Sequence, residues 1–159
     1  MPRDPAALAA AMLALVPTGL RARIDDELDA GLAPVAYRPG QTKRPDAGIV
    51  FDMAAQARHK PSVIAPDNEA MACGLCLIAR GYSWEAHEVL EAVWQGLPMN
   101  SAERHVVQAL IQHANARLKQ SMGQAGAAAR LDTIAHDHLE EAQARGWRLA
   151  DEFPNHEAT

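Results

Sequence analysis

Apolar residues recur at helical spacing along most of this chain, and glycine or proline closes each stretch. Leu8, Met12 and Leu15 fall on one face of a helix over Ala6–Val16, which Pro17-Thr18-Gly19 interrupts. A second, short helix is predicted from Leu20 to Leu32, with Gly31 as its C-cap. The character then changes from Ala33 to Asp67, where Pro34, Pro39, Gly40, Pro45, Gly48, Pro61 and Pro66 break any regular pattern. Only the amphipathic piece Phe51–Arg58 reads as helical there. Connections of that length are usually functional or lie across the body of a domain, so a lid and a packing segment are both open.

Beyond Asp67 the pattern is orderly. A helix runs from about Asn68 to Arg80 and stops at Gly81. Ser83 is placed to N-cap the next, which ends at Gly96-Leu97-Pro98. Asn100 and Glu103 make a capping-box pattern for a third, reaching about Met122. After Gly123 a fourth continues from Gln124 to Arg145, ended by Gly146. Short turns between helices imply antiparallel neighbours. The expected fold is all-α: an antiparallel helical bundle of about four main helices, with an N-terminal helical extension and a long Pro-rich connection. Residues 1–159 form one domain in this reading, with 1–66 wrapping a bundle core at 67–145.

Composition supports the class. A chain of 159 residues suits one domain with its own core. At 48% hydrophobic but 4% aromatic, and rich in Ala, it favours close-packed helices over a β-sandwich. The formal charge is −5 with no basic stripe, which argues against a nucleic-acid partner. Two cysteines make no disulfide framework, and a reducing cytoplasmic setting is expected. Ala6–Val16 is as long as a signal-peptide core, yet Asp4 and Pro5 precede it and no small-x-small cleavage site follows, so a docking helix is expected. No apolar run reaches the roughly 20 residues of a membrane span.

Chemistry concentrates in Glu85-Ala-His87-Glu88-Val-Leu-Glu91-Ala-Val-Trp94. Ala86, Val89, Leu90 and Val93 form its core stripe. His87 and Glu91 stand at i,i+4, a spacing that lets two side chains share one ion, and Glu85 and Glu88 are paired at i,i+3. Imidazole with carboxylate suits a divalent metal such as zinc, manganese or iron. The plainer reading has Glu complementing the helix dipole and Glu91 as hydrogen-bond partner of His87. On the third helix Gln108 and Gln112 stack one turn apart and suit an orienting role; Arg104 has the reach to pair with a neighbouring carboxylate or an anionic substrate. An ordinary polar face accounts for the same three residues.

Other signals point to structure. Cys73-Gly-Leu-Cys76 lies in an apolar helix without a second CxxC, and core packing explains it. His113 reads as a core histidine, and Asp132 with His136 as a solvated pair. No phosphate-cradling Gly loop and no Ser nucleophile elbow is present.

Gly81-Tyr-Ser-Trp84-Glu85-Ala-His87-Glu88-Val-Leu-Glu91-Ala-Val-Trp94 resembles the signature of domain-of-unknown-function family 309, a Gly and an aromatic followed by EAHE-x-x-E-x-x-W. The resemblance continues through Glu103-Arg104 and Gln108-Ala-Leu-Ile-Gln112-x-Ala114 to Gly126-Ala127-Ala128, covering about Asp67 to Leu139. It implies a small α-helical bundle, and some members carry the label of predicted metal-dependent hydrolase. The family's polar positions fall on Glu85, His87, Glu88, Glu91, Trp94, Arg104, Gln108 and Gln112. This chain departs from the pattern at Ala109, Lys119 and Gly123-Gln124, where the family commonly has Gly, His and Gly-Asn. A missing His at Lys119 would weaken a metal site if that His were a ligand.

Two readings follow. In the first, an enzyme acts on an unidentified small molecule: His87 and Glu91 hold a divalent metal, Glu85 and Glu88 supply ligand or base, and Trp94, Arg104, Gln108 and Gln112 orient ligands or substrate. In the second, a non-enzymatic binding or assembly module, a homodimer among its forms, uses the same motif as a buried polar network between helices. An open pocket beside His87 and Glu91 would favour the first.

Overall fold

The computed structural model describes residues 2–58 and 61–152, and side chains as far as residue 150. Every regular element in it is helical: α1 (Pro5–Ala14), α2 (Thr18–Gly31), α3 (Ile49–Arg58), α4 (Glu69–Ala79), α5 (Ser83–Gln95), α6 (Ala102–Ser121), α7 (Ala125–Ala144) and a last turn, α8 (Leu149–Glu152). The all-α expectation is met.

Caps explain the boundaries. Asp4 accepts the Ala7 N–H at 2.8 Å with Pro5 opening α1, and Asn68 accepts that of Met71 at 3.0 Å. Gly81, Gly123 and Gly146 hold φ of 80°, 77° and 92° just past α4, α6 and α7. Each lets the following N–H turn back onto the helix: Tyr82 to Leu77, Gln124 to Lys119, Trp147 to Ala142. That is the Schellman closure, and glycine reaches its left-handed conformation without a Cβ clash. Three cap assignments differ from expectation. Ser101, not Asn100, caps α6 through its hydroxyl at 3.2 Å from the Arg104 N–H, while Asn100 takes a positive φ of 56° in the turn. Ser83 is already helical behind Tyr82, which caps without its side chain. Gly31 closes α2 from inside, and Leu32 is its C-cap.

One continuous hydrophobic cluster runs from Leu8 to Trp147. Helix α5 sits inside it, packed on α3, α4 and α6, while α6 and α7 form the most extensive helix pair. That pair is antiparallel, since Arg145 near the end of α7 donates to the Asn100 carbonyl at the start of α6 (2.6 Å). Helix α3, expected as part of a wrapping segment, packs on α5 as fully as α4 does. Ala86, Val89, Leu90 and Val93 are fully buried, so the stripe read from spacing is the core face. Gly74 is the close-approach point, where an added Cβ would stand 2.6 Å from Leu90 Cδ2. Among the described residues no single helix is long and apolar enough to cross a membrane.

Ion pairs fasten α2 to α4. Arg80 donates to Asp29 at 2.7 Å and to Asp25 at 3.1 Å, and Arg23 to Glu69 at 3.0 Å. Cys73 and Cys76 are buried in α4 as free thiols, and burial pushes Cys73 up to about 12, which leaves it inert.

Candidate functional site

The motif helix distributes its polar side chains to separate tasks. Trp84 and Glu85, in the first turn of α5, serve the Pro-rich connection. Tyr37 meets the Trp84 ring edge-on at 4.7 Å, Phe51 lies at 6.3 Å, and the Arg44 guanidinium sits 5.6 Å over the indole. Glu85 is 2% exposed, and its Oε2 accepts the Tyr37 N–H at 3.1 Å. Burial raises its pKa; the backbone N–H groups of Tyr37 and of Glu85 itself oppose that rise. The adjoining Tyr82 hydroxyl donates to the Ala33 carbonyl at 2.5 Å. Three of four successive residues, Tyr82, Trp84 and Glu85, with the buried Ser83 among them, thus pin the chain that follows α2.

His87, Glu88 and Glu91 form a cluster of their own. Their ligating atoms lie within 4.8 Å of one another, and all three residues are partly exposed. His87 Nε2 stands 3.1 Å from Glu91 Oε2, and Nδ1 stands 3.7 Å from Glu88 Oε1. The Nδ1 atom is buried without a hydrogen-bond partner. Donors bound at about 2.0–2.2 Å to one ion stand roughly 3–3.5 Å apart, which the Nε2–Glu91 separation matches, whereas Glu88 faces the opposite ring nitrogen. An imidazole with one carboxylate at each nitrogen can give one nitrogen to a metal and hold the other as N–H against a carboxylate, fixing its ring. His87 Nε2 and Glu91 can therefore share a divalent cation, with Glu88 against the other nitrogen. Glu85 does not join this cluster.

The orienting candidates lie toward the helix ends and on α6. Arg104 stacks over Trp94 with its guanidinium 4.4 Å from the ring. Its Nε donates to the Leu97 carbonyl at 3.1 Å and Nη2 to that of Gln95 at 3.4 Å. It thereby caps the negative C-terminal end of α5 rather than a carboxylate. Gln112 Nε2 donates to Gln108 Oε1 at 3.0 Å, so the two amides satisfy each other. No hydrogen bond among the described residues runs from His87, Glu88 or Glu91 to Arg104, Gln108 or Gln112. The clefts at α1/α6, at α3/α4, at α2/α3 and beside Glu85 do not include the three clustered residues.

Two arrangements escape a reading by spacing. His105 on α6 and His138 on α7 meet with facing Nδ1 atoms at 3.0 Å. Their signal is that both are nearly equidistant from the Met122–Gly123 turn, and equidistant positions face each other in an antiparallel hairpin. Trp147, beyond the expected end of the bundle, is 2% exposed, with its indole N–H buried and unpartnered.

Residues 71–131 match the protein-family model described as "Domain of unknown function (DUF309)". The resemblance drawn from the EAHE and Gln-x-x-x-Gln blocks is thereby borne out. No curated protein and no solved structure matches the chain.

Proposed function

We propose, from a chain that carries a DUF309 segment over residues 71–131, that α5 holds a divalent cation on His87 and Glu91, with Glu88 at the opposite nitrogen of the His87 ring. The observation that carries this reading is the His87 ring, which has a carboxylate beside each nitrogen and a buried Nδ1 without a partner. A zinc, manganese or iron ion bound there supplies Lewis-acid activation of water, the chemistry of a metal-dependent hydrolase. His87 Nε2 and Glu91 act as the donors, and Glu88, on the Nδ1 side, orients the ring. Partial exposure of all three residues leaves the ion's remaining positions open to solvent or a small polar substrate. Glu85, whose Oε2 is held by Tyr37, supports the Pro-rich connection in this reading, in place of the base role. In this reading α4 to α7 make the four-helix antiparallel core, and the Trp94–Arg104 stack and the Gln108–Gln112 pair stiffen the helices beside the ion.

A second reading, a non-enzymatic binding or assembly module, is favoured by one observation. Most polar residues of the motif already serve the fold: Glu85 on Tyr37, Arg104 on the end of α5. The two separate by experiment. Elemental analysis of untagged protein, beside His87→Ala and Glu91→Gln, is expected to find about one equivalent of metal in the parent and none in the variants, at unchanged helicity. A metal-free parent that takes up none of the three ions in calorimetry, with variants that melt earlier, would leave the cluster a structural clasp.

A further inference from the structure

The metal reading leaves a second polar feature unused. Glu85 Oε1 is buried and has no hydrogen-bond partner, while Oε2 is held by Tyr37. A carboxylate oxygen so placed is costly unless something donates to it. Glu85 lines an open cleft of about 390 Å³ between the end of α2, the Pro-rich connection and the start of α3. Volumes of that order accept small ligands. The lining of the cleft runs from buried to exposed residues. Glu85 lies buried, Leu32, Ile49 and Val50 give apolar wall, and exposed Lys43 and Arg44 stand at the rim beside Asp46. A buried carboxyl group, apolar wall residues and exposed cations match a molecule with the complementary sequence of groups.

We propose that this cleft binds a short aliphatic ω-amino acid, with its ammonium donating to Glu85 Oε1, its methylenes against Leu32 and Ile49, and its carboxylate against Lys43. The buried carboxylate sets the order of the two ends. An ammonium brings donors and a compensating charge to Glu85, whereas an anion placed first would meet it as a like charge. Lys43 and Arg44 then attract the end that remains near solvent.

The test uses 6-aminohexanoate, hexylamine and hexanoate as probes, by calorimetry on the full chain in chelator. A parallel series on His87→Ala keeps the outcome separate from metal binding. The expected result is saturable binding of 6-aminohexanoate, tighter than either half-probe. Glu85→Gln should weaken 6-aminohexanoate and hexylamine by about tenfold or more, the scale of one charge-assisted hydrogen bond, and leave hexanoate unchanged. Lys43→Ala, on an exposed side chain, should weaken 6-aminohexanoate and hexanoate and spare hexylamine. Should Glu85→Gln fail to fold, the Lys43→Ala series and amide shifts mapped with 6-aminohexanoate carry the decision. Absence of 6-aminohexanoate binding to the parent chain, affinities indifferent to Lys43→Ala, or shifts located away from residues 31–50 and 85 would each overturn the proposal.

Discussion

His105 and His138 face each other across the α6–α7 pair with their Nδ1 atoms 3.0 Å apart. One of the two nitrogens must carry the hydrogen and the other must accept it, so the contact exists only while the accepting ring is neutral. Burial, and then the neighbouring His105, hold His138 below the ordinary histidine range, with Asp137 opposing. His113 is lowered too, by burial first and Arg117 next. A histidine whose folded pKa is depressed contributes stability that is whole above the unfolded value of about 6.5 and is lost as pH falls through the window below it. The melting temperature should therefore drop between pH 7.5 and 5.5. His138→Gln should flatten that drop by roughly 1 kcal/mol, the worth of one hydrogen bond. Equal pH slopes in parent and variant would refute the shared-proton contact.

Arg104 joins the tail of α5 to the head of α6 by stacking on Trp94 and donating to two carbonyls. Arg104→Ala should cost about 1–2 kcal/mol in chemical denaturation, from the lost stack and cap. Arg104→Lys should recover little, because an ammonium lacks the planar fork. Full recovery by lysine would mean that charge alone matters at this joint.

Trp84 is the anchor of the Pro-rich connection, touching Tyr37, Phe51 and Arg44. Trp84→Ala should destabilise by about 3–5 kcal/mol, as large aromatic truncations in cores do. It should also open the Lys43–Arg44 bond to trypsin well before sites in α6, whereas Arg38 and Arg44 precede proline and resist cleavage. Unaltered cleavage kinetics at that bond would show that the connection is held by something other than the indole.

Gly74 allows α4 and α5 to approach, since a Cβ there would meet Leu90 at 2.6 Å and Leu90 is fully buried. Gly74→Ala gains about 1 kcal/mol of helix propensity and loses about 1–3 kcal/mol to overpacking. A net loss of about 1 kcal/mol is expected by urea titration. Pairing it with Leu90→Ala should give a coupling energy that shows the two positions meet.

Much of the fold could be read before any coordinates. The helices from Asn68 onward followed from apolar periodicity and from three glycines that sit where helices close. The core stripe of α5 followed from the same arithmetic. What could not be read were choices made in three dimensions. Ser101 and Asn100 are both good caps, and the Met99–Asn100 turn decides between them. Glu85 looks like a partner of Glu88 along the helix, yet about 60° of rotation separates them, and the Pro-rich connection captures one of the two. Trp147 lies past the last periodic residue, and only the Schellman turn at Gly146 returns it to the core. Of the candidate site, spacing paired His87 with Glu91 but set Glu88 with Glu85, and nothing local to Arg104 announced that carbonyls would take it.

The two thiols of α4 give this protein a built-in clock for its own opening. Both are sealed in the middle of the packing, and burial raises the pKa of both, which disfavours the thiolate. A disulfide-exchange dye should therefore react only in molecules whose α4 has swung away from α5. Its labelling rate, followed at increasing dye concentration, would time that excursion in the unmodified chain without any engineered probe.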